Sequence, residues 1–289
     1  MNQSTVNAWN EITSIYTTSI PQIQGPITTS EAIYTDFILI HSDTKSVVYS
    51  ATMHTNNNTP QSVIVKAYIS INRNSFASNE DKITTLLSSR GLMVPKRYST
   101  FSTEHYNCFP MERLDYTLKD LFTTNPTQAI SIPIILSIVR ACVPILELLH
   151  KETKLLYVDF SCGNVAFRHS SDEMNPLAYM IDFGALHEAI YVTPCMKTMR
   201  YCSANAIAEK PVDTVDDLQS LGFVILDAMY GPLNSDCPLN SMLQTESGRL
   251  KIVRDSIDGI YGPFIQNYFS LIRINDPYKG LVEMCDIYQ

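Results

Sequence analysis

Three side chains between residues 156 and 184 carry the oxygens that a phosphate-transfer site needs. Asp159 and Asn164 stand five residues apart in LYVDFSCGNVAF, and Asp182 opens an Asp-Phe-Gly turn eighteen residues after Asn164 in AYMIDFGAL. Phosphoryl transfer asks little covalent chemistry of a protein, but the acceptor hydroxyl, the γ-phosphate and the metal must be held in line. An aspartate can accept the hydrogen bond of an acceptor hydroxyl, and loop-borne Asp and Asn supply hard oxygen ligands to magnesium. Asp159 is therefore the candidate base, and Asn164 and Asp182 are the candidate magnesium ligands. A solitary Asp-Phe-Gly is more often a turn than a metal site. Here both motifs follow apolar, strand-like runs, 155–158 and 178–181, as a strand pair presenting acids at its ends requires.

Such a site also needs a fixed cation. Val63-Ile64-Val65-Lys66-Ala67-Tyr68 sets Lys66 inside an apolar, β-branched run, where it is either a phosphate-binding lysine or an edge-strand lysine that discourages aggregation. Fourteen residues on, Glu80 opens a helical segment with Ile83, Leu86 and Leu87 at i, i+3 and i+4. An ion pair between Glu80 and Lys66 aims the ammonium at phosphates. Asp81, about 100° around the helix, is the alternative.

These residues resemble the protein kinase pattern, and more closely that of the casein kinase one and vaccinia-related kinase group. Met180-Ile181-Asp182-Phe183-Gly184-Ala185-Leu186 is similar to that group's IIDFGLA. The run from Phe109 to Leu114, followed by Leu118-Lys119-Asp120-Leu121-Phe122, resembles its hinge and following helix. Thr198-Met199-Arg200-Tyr201-Cys202-Ser203-Ala204-Asn205 resembles its T-A-R-Y-A-S-x-N stretch, and Asp216-Asp217-Leu218-Gln219-Ser220-Leu221-Gly222 its D-D-L-E-S-L-G helix. The motifs occur in the family's order over about residues 36 to 235. The resemblance implies ATP and Mg2+ as cofactors, with Met111, as gatekeeper, Glu112 and Leu114 beside the nucleotide. It also implies that Asp216 braces the catalytic-loop backbone, and that Arg200 either binds an anion or is a surface residue.

Three departures bear on turnover. Aligning residues 40–51 on the family's glycine-rich loop puts His41, Asp43 and Ser46 where glycines stand, so backbone amides approach a phosphate less closely. The catalytic-loop lysine is replaced by Ser161, a loss of about 2–4 kcal/mol of transition-state stabilisation by comparison with other electrostatic groups. Lys45 is one candidate to replace it. Val158 stands in place of arginine, which removes the usual partner of a phosphorylated activation loop.

Composition sets the remaining limits. The 289 residues can bury a large core, and 21 basic against 29 acidic residues give −8, which argues against nucleic-acid binding through bulk charge. Seven scattered cysteines without a C-x-x-C pair indicate neither a disulfide framework nor a zinc site, and point to a reducing compartment. The first 22 residues show no secretion signal or membrane span. His150 and His187 read as ordinary surface or capping residues. The polar stretch from His54 to Gln61 reads as a hairpin tip, 131–151 as the buried central helix with a kink at Pro144, and Asp217 to Tyr230 as a second buried helix.

The expected fold is α+β and bilobal. After an N-terminal extension over 1–30, a kinase-like domain fills 31–289, with a small antiparallel β-lobe holding one helix to about 111 and a mainly helical lobe from 112. The expected function is a divergent serine/threonine protein kinase, with Lys66, Asp159 and Asn164 as catalytic residues. The alternative is a pseudokinase that regulates a partner protein as a scaffold. Small-molecule phosphotransfer fits the same acids. The expected setting is intracellular, cytoplasmic or nuclear (in the host cell if the source is a virus), with a protein substrate or partner and neither nucleic acid nor membrane.

Overall fold

Alternation of apolar side chains builds the first part of the chain. The structure is a computed structural model that describes residues 22–42, 46–56, 58–69, 76–124, 129–170, 176–188, 199–230 and 261–289. Asp43, Lys45, Thr198 and residues 1–21 of the expected extension lie outside the described residues. The chain divides into two compact units, Met1–Ser78 with Lys96–Arg113, and Asn79–Pro95 with Leu114–Gln289.

The first unit is a six-stranded antiparallel sheet of β1 (Ile27–Thr28), β2 (Ile33–Ser42), β3 (Ser46–Thr55), β4 (Asn58–Ile69), β5 (Phe101–Ser102) and β6 (Tyr106–Glu112), in the order β1-β2-β3-β4-β6-β5. Val47, Tyr49, Ala51 and Met53 of β3 and Val63, Val65 and Ala67 of β4 alternate into one core with Tyr34, Tyr106 and Cys108. Lys66 points to the other face. β3 reaches Thr55 and β4 begins at Asn58, with Thr55 paired to Asn58, so most of the expected hairpin tip from His54 to Gln61 is strand. β2 slips register twice against β3, between Thr35 and Ile38 and between Leu39 and His41. Asp36 is left-handed at φ 55°, as a bulge permits.

The second unit is built on helices. Among the described residues, α1 (Phe76–Ser89) contributes from Asn79 onward, followed by α2 (Leu118–Thr124), α3 (Ile132–Leu148), α4 (Ala204–Ile207), α5 (Thr214–Tyr230), α6 (Tyr261–Leu271) and α7 (Tyr278–Ile287). Short strands β7 (Tyr116–Thr117), β9 (Val165–Arg168) and β10 (Leu177–Met180) form a sheet in the order β10-β9-β7, and β8 (Leu155–Leu156) pairs with β11 (His187–Glu188). α3 is the expected central helix. It packs on β10, α5 and α7, and Ser137 Oγ ties it to the edge of β10 by donating to Pro176 O and accepting from Ala178 N, both at 2.9 Å. By length and composition the stretch Ile132–Thr153 could cross a membrane, yet 61% of its most apolar window is buried inside this fold. The helix runs through Pro144, then widens into a π turn over Leu149–Thr153 that ends at left-handed Lys154. Cys202 is disulfide-bonded, whereas Cys108, Cys142, Cys162 and Cys285 are free. A single bond needs no spacing pattern, so the sequence gives no sign of it.

Tight packing in α5 yields a test. A Cβ on Gly222 would lie 2.7 Å from the Phe269 ring and 2.8 Å from the Tyr268 ring, both buried. Gly222→Ala gains about 1 kcal/mol of helix propensity but forces overpacking that costs about 1–3 kcal/mol. Urea denaturation is expected to show a net loss of up to about 2 kcal/mol.

Candidate active site

Residues 155–184 carry the candidate acids, and the polar groups around them fix the backbone. The run before Asp159 forms only the two-residue β8, paired with β11 rather than with the run before Asp182. The pairing that matters is β9 with β10, in register Val165 to Met180. Asn164 immediately precedes β9 and Asp182 follows β10, so one hairpin presents both candidate metal ligands at one end. Ile181 N donates to Asn164 O at 3.0 Å and closes that end. Asn164 Nδ2 donates to Asp159 O at 2.7 Å, which leaves the amide oxygen as the group that can face a cation.

Two left-handed residues flank this arrangement, Val158 at φ 51° and Asp182 at φ 62°. Aspartate tolerates that region, but a β-branched valine is strained there by about 1–3 kcal/mol. Val158 is held by its own amide, which donates to Asp217 Oδ1 at 2.8 Å, while Tyr157 N donates to Asp217 Oδ2 at 2.6 Å. The brace expected at Asp216 therefore falls on Asp217. Asp216 instead accepts from Asp213 N at 2.7 Å and Asn205 Nδ2 at 3.2 Å, tying the start of α5 to α4. Adjacent acids on a helix differ by about 100°, so the helix phase decides which one turns inward. Asp217 lies on the stripe of Leu221, Val224 and Ala228, all fully buried, and that is the sequence signal for it.

His150 is not a surface residue. The π turn carries it inward to 5% exposure, where Nε2 lies 2.9 Å from Asp217 Oδ2 and Nδ1 lies 2.7 Å from the Tyr278 hydroxyl of α7. His187 sits in β11, paired with Leu156. Tyr157 donates its hydroxyl to Ile181 O at 2.6 Å and so joins the Asp159 loop to the strand leading into Asp182. Its ring meets Phe160 at 4.7 Å and Phe183 at 5.6 Å, and Phe183 is buried in the unit's core. Burial, and then the charges of Asp182, Asp159 and Glu80, push the Tyr157 hydroxyl well above its ordinary pKa. Three candidate acids thus gather in the second unit around one phenol. Leu114 is half-buried in that unit.

Lys66, Met111 and Glu112 belong to the first unit. Lys66 pairs with Val48 and Phe109 across the sheet, is 8% exposed, and carries its ammonium 5.2 Å over the Tyr68 ring. Met111 pairs with Ile64. Glu112 exchanges hydrogen bonds with the Lys96 backbone, its amide donating to Lys96 O at 2.8 Å and its carboxylate accepting from Lys96 N at 3.3 Å. In the second unit, Glu80 is 3% exposed and Asp81, its alternative, is half-buried. Arg200, expected to bind an anion or to lie on the surface, is engaged by Asp227 through Nε at 2.6 Å and Nη2 at 2.7 Å. No group of three or more His, Cys, Asp or Glu able to hold a metal occurs among the described residues. Two oxygens from Asn164 and Asp182 suit magnesium, which takes few protein ligands and completes its shell with water and phosphate.

The two neighbouring aspartates give a sharp contrast. Asp217→Asn places an amide against backbone donors and leaves His150 without its anion, so a loss of about 3–5 kcal/mol is expected. Asp216→Asn keeps an acceptor and costs about 1 kcal/mol. Denaturant midpoints of the two variants check the ranking.

No family model and no curated protein sequence matches the chain. Among solved structures, vaccinia related kinase 3 aligns with 96% of this chain and 94% of its own, at a TM-score of 0.66 and 17% identity. Likeness at that identity speaks for the fold, and it agrees with the antiparallel sheet unit, the helical unit and the braced Asp159 loop: the chain has an α+β protein kinase fold related to that of the vaccinia-related kinases.

Proposed function

We propose that the protein is a divergent serine/threonine protein kinase that transfers the γ-phosphate of Mg-ATP to a protein hydroxyl. The observation that carries this is the clustering of Asp159, Asn164 and Asp182 by the Ile181–Asn164 and Asn164–Asp159 hydrogen bonds, on a backbone that Asp217 holds in a strained form. A fold can persist without such strain, and left-handed non-glycine residues collect where function needs them. Asp159 accepts the hydrogen bond of the acceptor hydroxyl. Asn164 and Asp182 hold magnesium, which when bound neutralises the phosphate charge. Lys66 supplies the fixed cation for the phosphates, as the kinase resemblance implies. Met111, Glu112 and Leu114 border the nucleotide. With Ser161 in the lysine position, the chemical step depends on magnesium and Lys66 and is slow.

A second function, regulation of a partner protein as a catalytically silent scaffold, is favoured by Ser161 and by His41 in a glycine position. The bulged β2 strand also leaves Ile38, Leu39 and Ile40 exposed rather than bare backbone amides.

Melting temperatures with ATP, with and without magnesium, separate the two. Ligand at a hundredfold its Kd stabilises the folded state by about 2.7 kcal/mol. A magnesium-dependent rise in the wild type that Asp182→Asn abolishes is expected. No rise at millimolar ATP removes the phosphotransfer proposal and leaves the scaffold.

A further inference from the structure

The segment from Met199 to Ile207 is bound along one stripe of α5. Gln219 Oε1 accepts from Ala204 N at 3.0 Å, Asp216 Oδ2 accepts from Asn205 Nδ2 at 3.2 Å, and Asp227 receives both Arg200 and Tyr201. Asp227 is the most deeply placed of these, with a side chain 3% exposed, and its carboxylate is filled on one edge by the Arg200 fork and by the Tyr201 hydroxyl at 2.8 Å. A buried carboxylate with three charge-assisted or hydroxyl donors is well satisfied, whereas removing either charge strands the other. One anion thus ties the Met199–Tyr201 turn to α5.

Arginine forks of this kind are also how segments are ordered by an added phosphate. We infer that Asp227 is a built-in counter-anion for Arg200, which holds the Met199–Tyr201 turn on α5 without a phosphate from the chain or from an acceptor. Asp227 is a positioning residue. It also acts on specificity, because an arginine whose Nε–Nη2 edge is filled keeps only its Nη1 side for a phosphorylated acceptor. The consequence for acceptors rests on the phosphotransfer proposal: hydroxyls with no neighbouring phosphate are used as well as those that have one. The anion chemistry does not depend on it. Val158, in place of a second arginine, leaves that position without a cation.

The test uses inorganic phosphate and no ATP, so it can fail separately from the phosphotransfer proposal. Melting temperatures of the full chain are read in phosphate and in chloride at matched ionic strength, for the wild type, Asp227→Asn and the double variant Asp227→Asn with Arg200→Gln. The double variant replaces the ion pair with a neutral pair of similar shape. Expected are equal curves in the two salts for the wild type and the double variant. For Asp227→Asn alone, phosphate at about tenfold its Kd is expected to add about 3 °C, because the added anion then replaces the lost carboxylate charge on the Nε–Nη2 edge of Arg200. A rise in Asp227→Asn that persists in the double variant, or no rise in Asp227→Asn, overturns the inference. Should Asp227→Asn not fold, the wild type and the double variant decide: a phosphate-specific rise in the wild type alone overturns it, and equal curves support it.

Discussion

A single carboxylate, that of Asp217, carries the conformation on which the candidate site depends. It is 2% exposed and receives the amides of Tyr157 and Val158 and the imidazole of His150. Burying a charge is costly unless donors replace water, and here three do so. In return the loop backbone is fixed in a form that a valine would not adopt alone. The His150 ring bridges Asp217 and Tyr278, with Nε2 2.9 Å from Asp217 Oδ2 and Nδ1 2.7 Å from the Tyr278 hydroxyl. The orientation of the Asp159 loop is therefore set from α5, the π turn after α3 and α7 together. Each supplies one group, and none is an acid that meets phosphate.

The second tie runs from loop to strand. Tyr157 reaches Ile181 O with its hydroxyl, while its ring packs on Phe183. One side chain thus connects the Asp159 loop to the Asp182 turn by a hydrogen bond and by ring packing. Ser161 is a different kind of change, since nothing about its backbone is disturbed: its carbonyl accepts Asn164 N at 3.0 Å. Geometry is kept while charge is lost, and that combination makes positioning, rather than electrostatic strength, the retained property of the site.

Much of this was legible in the sequence because motif spacing reflects backbone geometry. The order of motifs gave the kinase fold, and the apolar stripe over 131–151 gave the central helix. What stayed hidden shares one cause, namely side chains whose partners are remote in sequence. Asp216 and Asp217 are chemically equal until the phase of α5 is known. His150 looked like a surface residue because a π turn, which shifts the face on which a residue falls, leaves no mark in composition. Arg200 could not be assigned without Asp227, twenty-seven residues away on another helix. Short strands escape for a related reason: Ala166 and Phe167 pair with both β10 and β7, yet these strands are too short to show alternation.

The contact between His150 and Tyr278 spans 128 residues, a long closure for one hydrogen bond. At synthesis rates of about 5–20 residues per second, Tyr278 is added about 6–26 s after His150. During that interval α3 and the loop after it exist without the group that completes the buried network, and the imidazole lacks both of its partners until Asp217, 67 residues on, has been added. Contacts with such separation form late, because the entropy of closing the chain must be overcome first. The rigidity of the acid-bearing loop is therefore a property of the finished chain, acquired in the last step of its folding rather than where its own residues are made.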